Sequence, residues 1–200
     1  VRTGAGVQEL QGKVAVVTGG ASGIGRALAN AFGAEGMKLV LADIEAPALD
    51  SAVADLRAAG VEAMGVVTDV ADPDSVRHLA DEAFAAHGAV HVLCNNAGVG
   101  PPSAKVWETT PNDWRWTFAV NVFGVANGII EFVPRMLASG EEGIVINTSS
   151  PDGPISPMPQ ASVYAASKSA LTTLTECLAA QLEAEGARVR AAVFYPSGRG

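Results

Sequence analysis

Residues 13–25 read KVAVVTGGASGIG, and they carry the clearest indication of the fold. Lys13 to Thr18 is a short apolar run, which predicts a buried strand, and Gly23 to Glu35 has the pattern of a helix that stops at Gly36. The glycines between strand and helix allow a tight turn and a close approach of the backbone to an anion. The helix N-terminus adds free N–H groups. The stretch therefore predicts a phosphate-binding turn.

The same alternation continues along the chain. Apolar runs predict strands at 13–18, 38–42, 61–67, 90–94, 143–147 and 189–194, and amphipathic stretches predict helices at 23–35, 46–59, 73–87, 112–138 and 160–185. Because the strands are apolar throughout, both faces of their sheet should be covered. We expect an α/β fold with a Rossmann-like, doubly wound parallel sheet in three layers (α/β/α), forming a single domain.

The composition narrows the class of partner. The chain has a net charge of −8 and no cluster of Lys and Arg, whereas nucleic acid must be met by clustered cations. No apolar run approaches the roughly 20 residues of a membrane span, so no membrane association is expected. Cys94 and Cys177 make no disulfide framework, and the three histidines lack the spacing of a metal site. We expect a cytoplasmic protein that binds a small molecule and holds no metal.

Asp43 stands at the end of the second predicted strand. An acidic residue at this distance from the glycine turn is typical of proteins that hydrogen-bond the ribose 2′-hydroxyl of NAD. Its carboxylate would repel the 2′-phosphate of NADP, and Ser22 in the turn brings no positive charge to offset that repulsion. An ordinary capping or loop carboxylate is the alternative. The sequence predicts NAD as the cofactor, preferred over NADP.

Tyr164 and Lys168 lie four residues apart on a predicted helix and share a face. A nearby ammonium favours the phenolate and lowers the pKa of a tyrosine from its usual value near 10. Tyr164 could then exchange a proton with a substrate oxygen. Such pairs are also common on ordinary helix surfaces. Ser149 and Ser150 favour the catalytic interpretation, because they end a strand at the edge of the sheet that carries the glycine turn.

These motifs resemble those of the classical short-chain dehydrogenases/reductases, from about residue 10 to the end of the chain. Each motif is weak alone, but all occur in the family's order. They are TGGASGIG at 18–25 as the cofactor turn, Asp69-Val70 as the adenine contact, Asn95-Asn96-Ala97-Gly98 beside the central sheet, Asn121, and Tyr164-Ala165-Ala166-Ser167-Lys168 as the YxxxK motif.

The resemblance implies a role for each matching residue. Tyr164 would be the general acid in reduction and the general base in oxidation, and Lys168 would bind the nicotinamide ribose and depress the tyrosine pKa. Ser150 would orient the substrate oxygen, and Asn121 would hold a water in a proton relay. The residues expected to bind the cofactor are Gly19, Ser22, Gly23, Ile24, Gly25, Asp43, Asp69, Val70, Asn96, Ala97, Gly98, Tyr164, Lys168 and Pro196.

The implied activity is hydride transfer between NAD(H) and the carbon of a secondary alcohol or ketone. Homodimers and homotetramers are the assemblies that the resemblance implies. Two other functions stay open: an epimerase or dehydratase of the same fold, and a non-catalytic dinucleotide-binding regulator. The classical motif forms favour redox chemistry over the first. The presence of Asn121, Ser150, Tyr164 and Lys168 argues against the second, because a sensor needs no proton relay.

The chain departs from the family's pattern at three places. Ser150 is one residue farther from Tyr164 than in the family, which puts an extra residue in loop 151–160 and keeps Ser149 as the alternative hydroxyl. The family's Pro-Gly turn is here Pro196-Ser197-Gly198. The family also continues past this point with a substrate-covering loop, a helix and a further strand. Either the sequence is incomplete at this end or the protein has lost that part, and we expect the fold of residues 12–200, one NAD(P)-binding domain, to lack the C-terminal strand. The polar, glycine-containing start of the chain predicts a flexible tail at 1–11.

Overall fold

Six short strands form one parallel sheet in the computed structural model, which describes residues 7–196. The strands are β1 (Val14–Thr18), β2 (Lys38–Asp43), β3 (Ala63–Val67), β4 (Val92–Asn95), β5 (Gly143–Thr148) and β6 (Val189–Phe194). The helices are α1 (Gly23–Ala34), α2 (Ala46–Ala58), α3 (Pro73–His87), α4 (Pro111–Phe118), α5 (Gly124–Ser139) and α6 (Ser162–Ala184). A short 3₁₀ turn at Val106–Glu108 precedes α4, and a π-helical turn at Ala119–Phe123 joins α4 to α5.

The order of the strands in the sheet is β3-β2-β1-β4-β5-β6, and all neighbours are parallel. β1 lies between β2 and β4, so that Val17 is beside both Leu41 and Cys94. The direction of winding reverses at β1, and ligands of such sheets bind outside the carboxyl ends of the strands at this point. The predicted Rossmann-like α/β fold is confirmed.

Apolar side chains cover the two faces of the sheet. On one face, Val16 and Leu93 pack with residues of α3, α5 and α6, and on the other, Val17 and Leu41 pack with residues of α1 and α2. All four are fully buried, and burial of one such side chain stabilises the fold by roughly 1.5–3 kcal/mol. On the α1–α2 face the cover thins toward β5, where Ile146 is only half-buried. The sheet around β1 is therefore the firm base of the carboxyl edge.

The predicted helix at 112–138 is not continuous. α4 ends at Phe118, the π-helical turn follows, and α5 begins at Gly124. A π-helical turn holds one extra residue, which changes the direction of the side chains after it and is frequent at functional sites. Asn121 lies at the centre of this turn and is fully buried. The interruption therefore coincides with one of the predicted catalytic residues.

The expectation that no apolar run approaches a membrane span is wrong for Pro111–Ser139. This helical run has 29 residues, and its most apolar 18-residue window has a mean hydropathy of 1.4, enough to cross a membrane by length and composition alone. Its inward residues Phe132 and Met136 are buried in the core of the domain. Asn121 within the run is hydrogen-bonded to Val99 and Ser167. These contacts are those of a core helix that flanks a sheet.

Contacts with the domain begin inside the predicted N-terminal tail. Val7 and Leu10 pack against the apolar cluster of α1 and α2, and the Gly12 amide donates a 2.9 Å hydrogen bond to the Gly36 carbonyl. Residues 1–6 lie outside the described part of the chain. The division into a tail at 1–11 and a domain at 12–200 stays a prediction.

Candidate active site

A cavity of about 730 Å³ lies at the carboxyl edge of the sheet, within the range of small-molecule sites. The loops after β1, β2, β3 and β4 form one side, and the start of the α4–α5 run, the end of β5 and α6 form the other. The lining residues are Gly19, Ser22, Gly23, Ile24, Asp43, Ile44, Glu45, Thr68, Asp69, Val70, Ala71, Asn96, Ala97, Gly98, Val99, Gly100, Trp116, Ala119, Val120, Thr148, Ser149, Tyr164, Lys168 and Pro196.

The glycine turn is held close to the loop after β4. Gly19 has a φ of +64°, and a Cβ atom there would lie 3.0 Å from the Cα atom of Ala97. The Thr18 hydroxyl accepts hydrogen bonds from the amides of Asn96 (2.9 Å) and Ala97 (3.1 Å). Gly25 does not line the cavity; a Cβ atom there would lie 2.0 Å from the Gly19 carbonyl oxygen. Gly25 therefore lets α1 pack against the turn, and Gly19 lets the turn pack against the loop after β4 at the wall of the cavity.

Asp43 ends β2 at the wall of the cavity. Its carboxylate accepts hydrogen bonds from the amide of Ala21 at 3.0 Å and from the amide of Glu45 at 3.2 Å. Two amide donors fix the carboxylate against the glycine turn. Lys168 is the one cation among the described residues that line the cavity. Lys168 belongs to the other side of the cavity, so no described lining cation lies beside Asp43 to bind the 2′-phosphate of NADP.

Asp69 and Val70 follow β3 and line the same cavity. The Asp69 carboxylate accepts a 2.9 Å hydrogen bond from the amide of Ala71, and the Val70 carbonyl accepts one at 2.9 Å from the Asn127 side chain. Gly124 faces Val70 so closely that a Cβ atom there would lie 2.8 Å from a Val70 methyl group. One face of the α5 helix thus holds the loop that the sequence assigns to the adenine ring.

Tyr164 and Lys168 extend from α6 into the cavity. The Lys168 ammonium donates a 2.8 Å hydrogen bond to the main-chain oxygen of Thr148 and lies 5.6 Å from the centre of the Tyr164 ring. Burial lowers the pKa of Lys168 to about 8. The hydroxyl of Thr148 is buried at the cavity wall without a hydrogen-bond partner, which leaves a polar group for a ligand to contact.

The pKa of Tyr164 is raised above its ordinary value of 10, chiefly because the phenol is partly buried. Hydrogen bonding with the Ser150 side chain acts in the opposite direction, and the charge of Asp152 raises the pKa further. The sequence-based expectation of a lowered pKa is therefore wrong for this arrangement of the site. Burial of the phenol outweighs any effect of the Lys168 ammonium, which is itself held by Thr148.

The two serines after β5 have different surroundings. Ser149 is 1% exposed, and its hydroxyl donates to the Lys168 carbonyl at 3.1 Å and is 2.9 Å from the Thr172 hydroxyl. It ties the end of β5 to α6. The Ser150 hydroxyl accepts a 3.1 Å hydrogen bond from the amide of Asp152 and interacts with the Tyr164 phenol. Ser150 is thus the hydroxyl beside the tyrosine, although it is not among the cavity-lining residues.

Asn121 reaches the site through its hydrogen bonds rather than through the cavity wall. Its side chain accepts from the Val99 amide and donates to the Val99 carbonyl, both at 2.8 Å. A Cβ atom at Gly98 would lie 3.4 Å from the Asn121 amide oxygen and 3.5 Å from the Lys168 nitrogen. Asn121 and Lys168 therefore converge on the loop after β4.

The structure brings most of the predicted site residues to one cavity. Of the residues expected to bind the cofactor, only Gly25 does not line it, and the catalytic candidates Asn121 and Ser150 stand just behind its wall. Pro196 lines the cavity, while Ser197 and Gly198 lie outside the described residues. Several lining residues, including Thr148 and Trp116, are not among the site residues predicted from the sequence. Thr148 could have been found, because it directly precedes the serine pair.

Neither a reactive cysteine in β4 nor a metal site is found among the described residues. Cys94 is fully buried in β4, and burial raises the pKa of its thiol to about 12. A thiol with so high a pKa is inert as a nucleophile. Within residues 7–196, no group of three or more His, Cys, Asp and Glu side chains could hold a metal ion.

The strand order, the glycine turn and the cavity at the carboxyl edge define an α/β protein of the Rossmann class. The chain belongs to the short chain dehydrogenase family, whose profile matches residues 13–198.

Two similar proteins are named as dehydrogenases. The chain is 41% identical over 181 residues to a C alpha-dehydrogenase of Sphingobium sp., covering 90% of this chain and 59% of that protein. It is 40% identical over 181 residues to the 1-deoxy-11-beta-hydroxypentalenate dehydrogenase of Streptomyces exfoliatus, covering 90% and 66%. A short chain dehydrogenase/reductase from Burkholderia phymatum, solved in complex with NAD, is 48% identical, with a TM-score of 0.91 over 94% of this chain and 66% of that one. The chain thus spans about two thirds or less of these relatives.

Proposed function

We propose that this chain carries the cofactor site and the catalytic residues of an NAD-dependent oxidoreductase. The reaction transfers a hydride between NAD(H) and the carbon of a secondary alcohol or ketone. The observation that carries the proposal is the convergence of Tyr164, Lys168 and Ser150 at one end of a cavity whose other parts are the glycine turn and Asp43. The relative with 48% identity was solved with NAD bound, which supports the choice of cofactor.

Different groups of cavity residues would bind different parts of the cofactor. The glycine turn and the N-terminus of α1 would hold the pyrophosphate, because free backbone N–H groups and a positive helix end favour an anion there. Asp43 would bind the adenosine ribose, and the Asp69–Val70 loop would contact the adenine ring. Lys168 and the free Thr148 hydroxyl would lie at the nicotinamide end.

The nicotinamide ring would accept or give the hydride. Tyr164 handles the proton: its phenol donates to the carbonyl oxygen in reduction, and its phenolate takes the alcohol proton in oxidation. The Ser150 hydroxyl holds the substrate oxygen beside the phenol, and the Lys168 ammonium stabilises the phenolate when it forms. Because a tyrosine is protonated near neutral pH and burial raises the pKa of Tyr164 further, the resting site is prepared to donate a proton.

The preference for NAD rests on Asp43. Two backbone amides fix its carboxylate at the cavity wall, so it cannot turn away from a 2′-phosphate without losing both hydrogen bonds. A like charge held in place disfavours NADP, and the lining cation, Lys168, belongs to the opposite end of the cavity.

Assembly and location are part of the proposal. Phe123 (59% exposed) and Ile130 (65% exposed) project from the α4–α5 run, and an exposed apolar face of this kind is typical of a subunit interface. A homodimer or homotetramer formed through this face fits the observation. Both cysteines are free, which fits a cytoplasmic location.

A screen of secondary alcohols tests the activity. We would incubate the protein with NAD and, separately, 1-phenylethanol, cyclohexanol and 2-butanol, and follow absorbance of the reduced nicotinamide. The expected result is NAD reduction with at least one alcohol and at least tenfold less with NADP. A protein that binds neither NADH nor NADPH in a fluorescence titration would contradict the proposal.

A further inference from the structure

The Ser167 hydroxyl joins α6 to the π-helical turn, and Asn121 extends this connection to the loop after β4. The Ser167 hydroxyl accepts a 2.9 Å hydrogen bond from the Asn121 side-chain amide and donates a 2.7 Å hydrogen bond to the Tyr164 carbonyl. The same Asn121 amide also donates to the Val99 carbonyl, and its oxygen accepts from the Val99 amide. Ser167 and Asn121 are both 0% exposed. The loop after β4, the π-helical turn and the tyrosine-bearing turn of α6 are therefore joined in one chain of hydrogen bonds.

Every donor of the Asn121 amide group is used in this arrangement. A side-chain amide has two N–H bonds, and here one points to Val99 and the other to Ser167. Water does not reach the group, because both residues are fully buried. Loss of the serine hydroxyl would leave one N–H without a partner, and a buried donor without a partner is costly enough to displace the side chain that carries it.

Displacement of Asn121 would move the cavity-lining segment to which it is bonded, the loop around Val99. Val99 lines the cavity, as do Gly98 and Gly100 on either side of it. Gly100 faces the tyrosine directly, since a Cβ atom there would lie 3.5 Å from the Tyr164 ring. The position of Val99 thus sets the gap between the loop after β4 and the phenol.

We propose that Ser167 is a positioning residue of this site, whose hydroxyl sets the distance between the Val99 loop and Tyr164 by fixing the Asn121 side chain. This inference rests on the proposed function for its catalytic consequence. The hydrogen bonds themselves do not depend on that function, so the two can fail separately.

α6 provides a matched control two helical turns farther along. The Thr175 hydroxyl accepts a 2.9 Å hydrogen bond from the Asn147 side chain and donates a 2.8 Å hydrogen bond to the Leu171 carbonyl. Thr175 is 1% exposed and Asn147 is 0% exposed. This second pair of hydrogen bonds has the chemistry and burial of the first, but the side chain of its partner Asn147 is not hydrogen-bonded to Val99 or to any other cavity-lining residue. Thr175→Val therefore removes an equivalent hydrogen bond from a residue that is bonded to neither Asn121 nor Val99. The bond that the Asn147 oxygen accepts from Asn95 at the end of β4 does not involve Thr175.

The experiment compares the wild type, Ser167→Ala, Ser167→Cys and Thr175→Val. Hydrogen exchange at the Val99 amide is measured by NMR, the unfolding midpoint by circular dichroism, NADH affinity by fluorescence, and kcat with the best alcohol of the screen above. The cysteine variant keeps the side-chain volume but replaces the hydroxyl by a weak donor. It separates the loss of the hydrogen bond from the loss of packing.

Both Ser167 variants should accelerate exchange at Val99 and lower kcat, each by about tenfold, the factor that corresponds to one hydrogen bond. Thr175→Val should lower the unfolding midpoint as much as Ser167→Ala does and leave Val99 exchange and kcat unchanged. Unchanged Val99 exchange in both Ser167 variants would overturn the inference. An equal loss of kcat in Thr175→Val would also overturn it. If the wild type bound no NADH, the proposed function would fail, but Val99 exchange would still test whether Ser167 fixes the Asn121 side chain.

Discussion

The ammonium group of Lys168 lies 5.6 Å from the centre of the Tyr164 ring, one helical turn along α6. Burial affects the two groups in opposite directions, because it disfavours the charged form of each: it lowers the pKa of Lys168 to about 8 and raises the pKa of Tyr164 above 10. The first proton to leave this pair therefore leaves near pH 8. After this loss, the remaining proton is either on Lys168, which gives a phenolate and an ammonium, or on Tyr164, which gives a phenol and an amine. The two forms have the same total charge, so they appear together as pH rises.

The rate of reaction should follow this shared titration. Oxidation of an alcohol needs the pair with one proton removed, so kcat/KM for oxidation should rise as pH increases through about 8. Reduction of the ketone needs the fully protonated pair, so its kcat/KM should fall over the same interval. Initial rates in both directions between pH 6 and 10 check this. Profiles in both directions that stay flat across pH 8 would show that the pair does not control the proton.

Asp43→Asn should change the choice of cofactor. The substitution keeps the shape of the side chain but removes the charge that repels a 2′-phosphate. We expect the ratio of NADH to NADPH affinity to fall on the order of tenfold, about 1.4 kcal/mol, in fluorescence titrations. Asp50→Asn removes the same charge from an exposed position of α2 that does not line the cavity, and it should leave the ratio unchanged. An unaltered ratio in Asp43→Asn would show that this residue does not determine the preference for NADH over NADPH.

Gly25→Ala should destroy the cofactor turn. The new methyl group would lie 2.0 Å from the Gly19 carbonyl oxygen, so the backbone of the turn would have to move. We expect NADH affinity to drop by at least tenfold, roughly the loss that follows when one close contact is misplaced. Gly60→Asn, at a surface position with φ +83° and nothing within 4 Å of the added Cβ atom, is the control and should bind NADH normally. Normal binding by Gly25→Ala would mean that the turn does not hold the pyrophosphate.

The opposite edge of the sheet should give the fold a dependence on acid. Glu141 is 2.7 Å from Nε2 of His91 and accepts a 3.1 Å hydrogen bond from Lys13, and Nδ1 of His91 accepts from the Val14 amide at 3.1 Å. Hydrogen bonds from His91 and Lys13 lower the pKa of Glu141 below its ordinary 4.5. A lowered folded-state pKa stabilises the protein above pH 4.5, and this contribution disappears as pH falls through the folded-state value.

Glu141→Gln should therefore reduce the loss of unfolding free energy between pH 6 and pH 3. The difference should be at most about 1 kcal/mol, because the carboxylate is half-exposed. Urea unfolding at several pH values measures it. Glu142→Gln is the neighbouring control, since none of the ion pairs in the described residues includes Glu142. An identical pH dependence of the unfolding free energy in wild type and Glu141→Gln would show that Glu141 makes no such contribution.

The fold could be predicted from the sequence because each local signal is strong. Apolar runs such as KVAVVT mark strands that are buried on two faces, and Asp72-Pro73 starts α3 as a capping residue followed by proline, with the Asp72 carboxylate accepting from the Asp74 amide. Strand and helix ends differ from the prediction by one or two residues, since fraying and local packing decide them.

The π-helical turn and the pKa values could not be predicted in the same way. Asn121 leaves the regular helix because its side chain is bonded to Val99 and Ser167, which are distant in sequence. The pKa of Tyr164 depends on how much of the phenol is buried, whereas the sequence shows only that a lysine stands one turn away. The choice between Ser149 and Ser150 likewise needed the contacts of Ser149 with Lys168 and Thr172.

Tyr164→Phe removes only the oxygen atom that would exchange the proton and leaves the ring that lines the cavity, so it separates proton transfer from cofactor binding. We expect an NADH dissociation constant within about twofold of the wild type and a fall in kcat of at least about 10³-fold, within the contribution of one general acid–base group. Turnover above a tenth of the wild-type rate in this variant, with NADH affinity intact, would contradict the proposed role of Tyr164 and place the proton donor elsewhere.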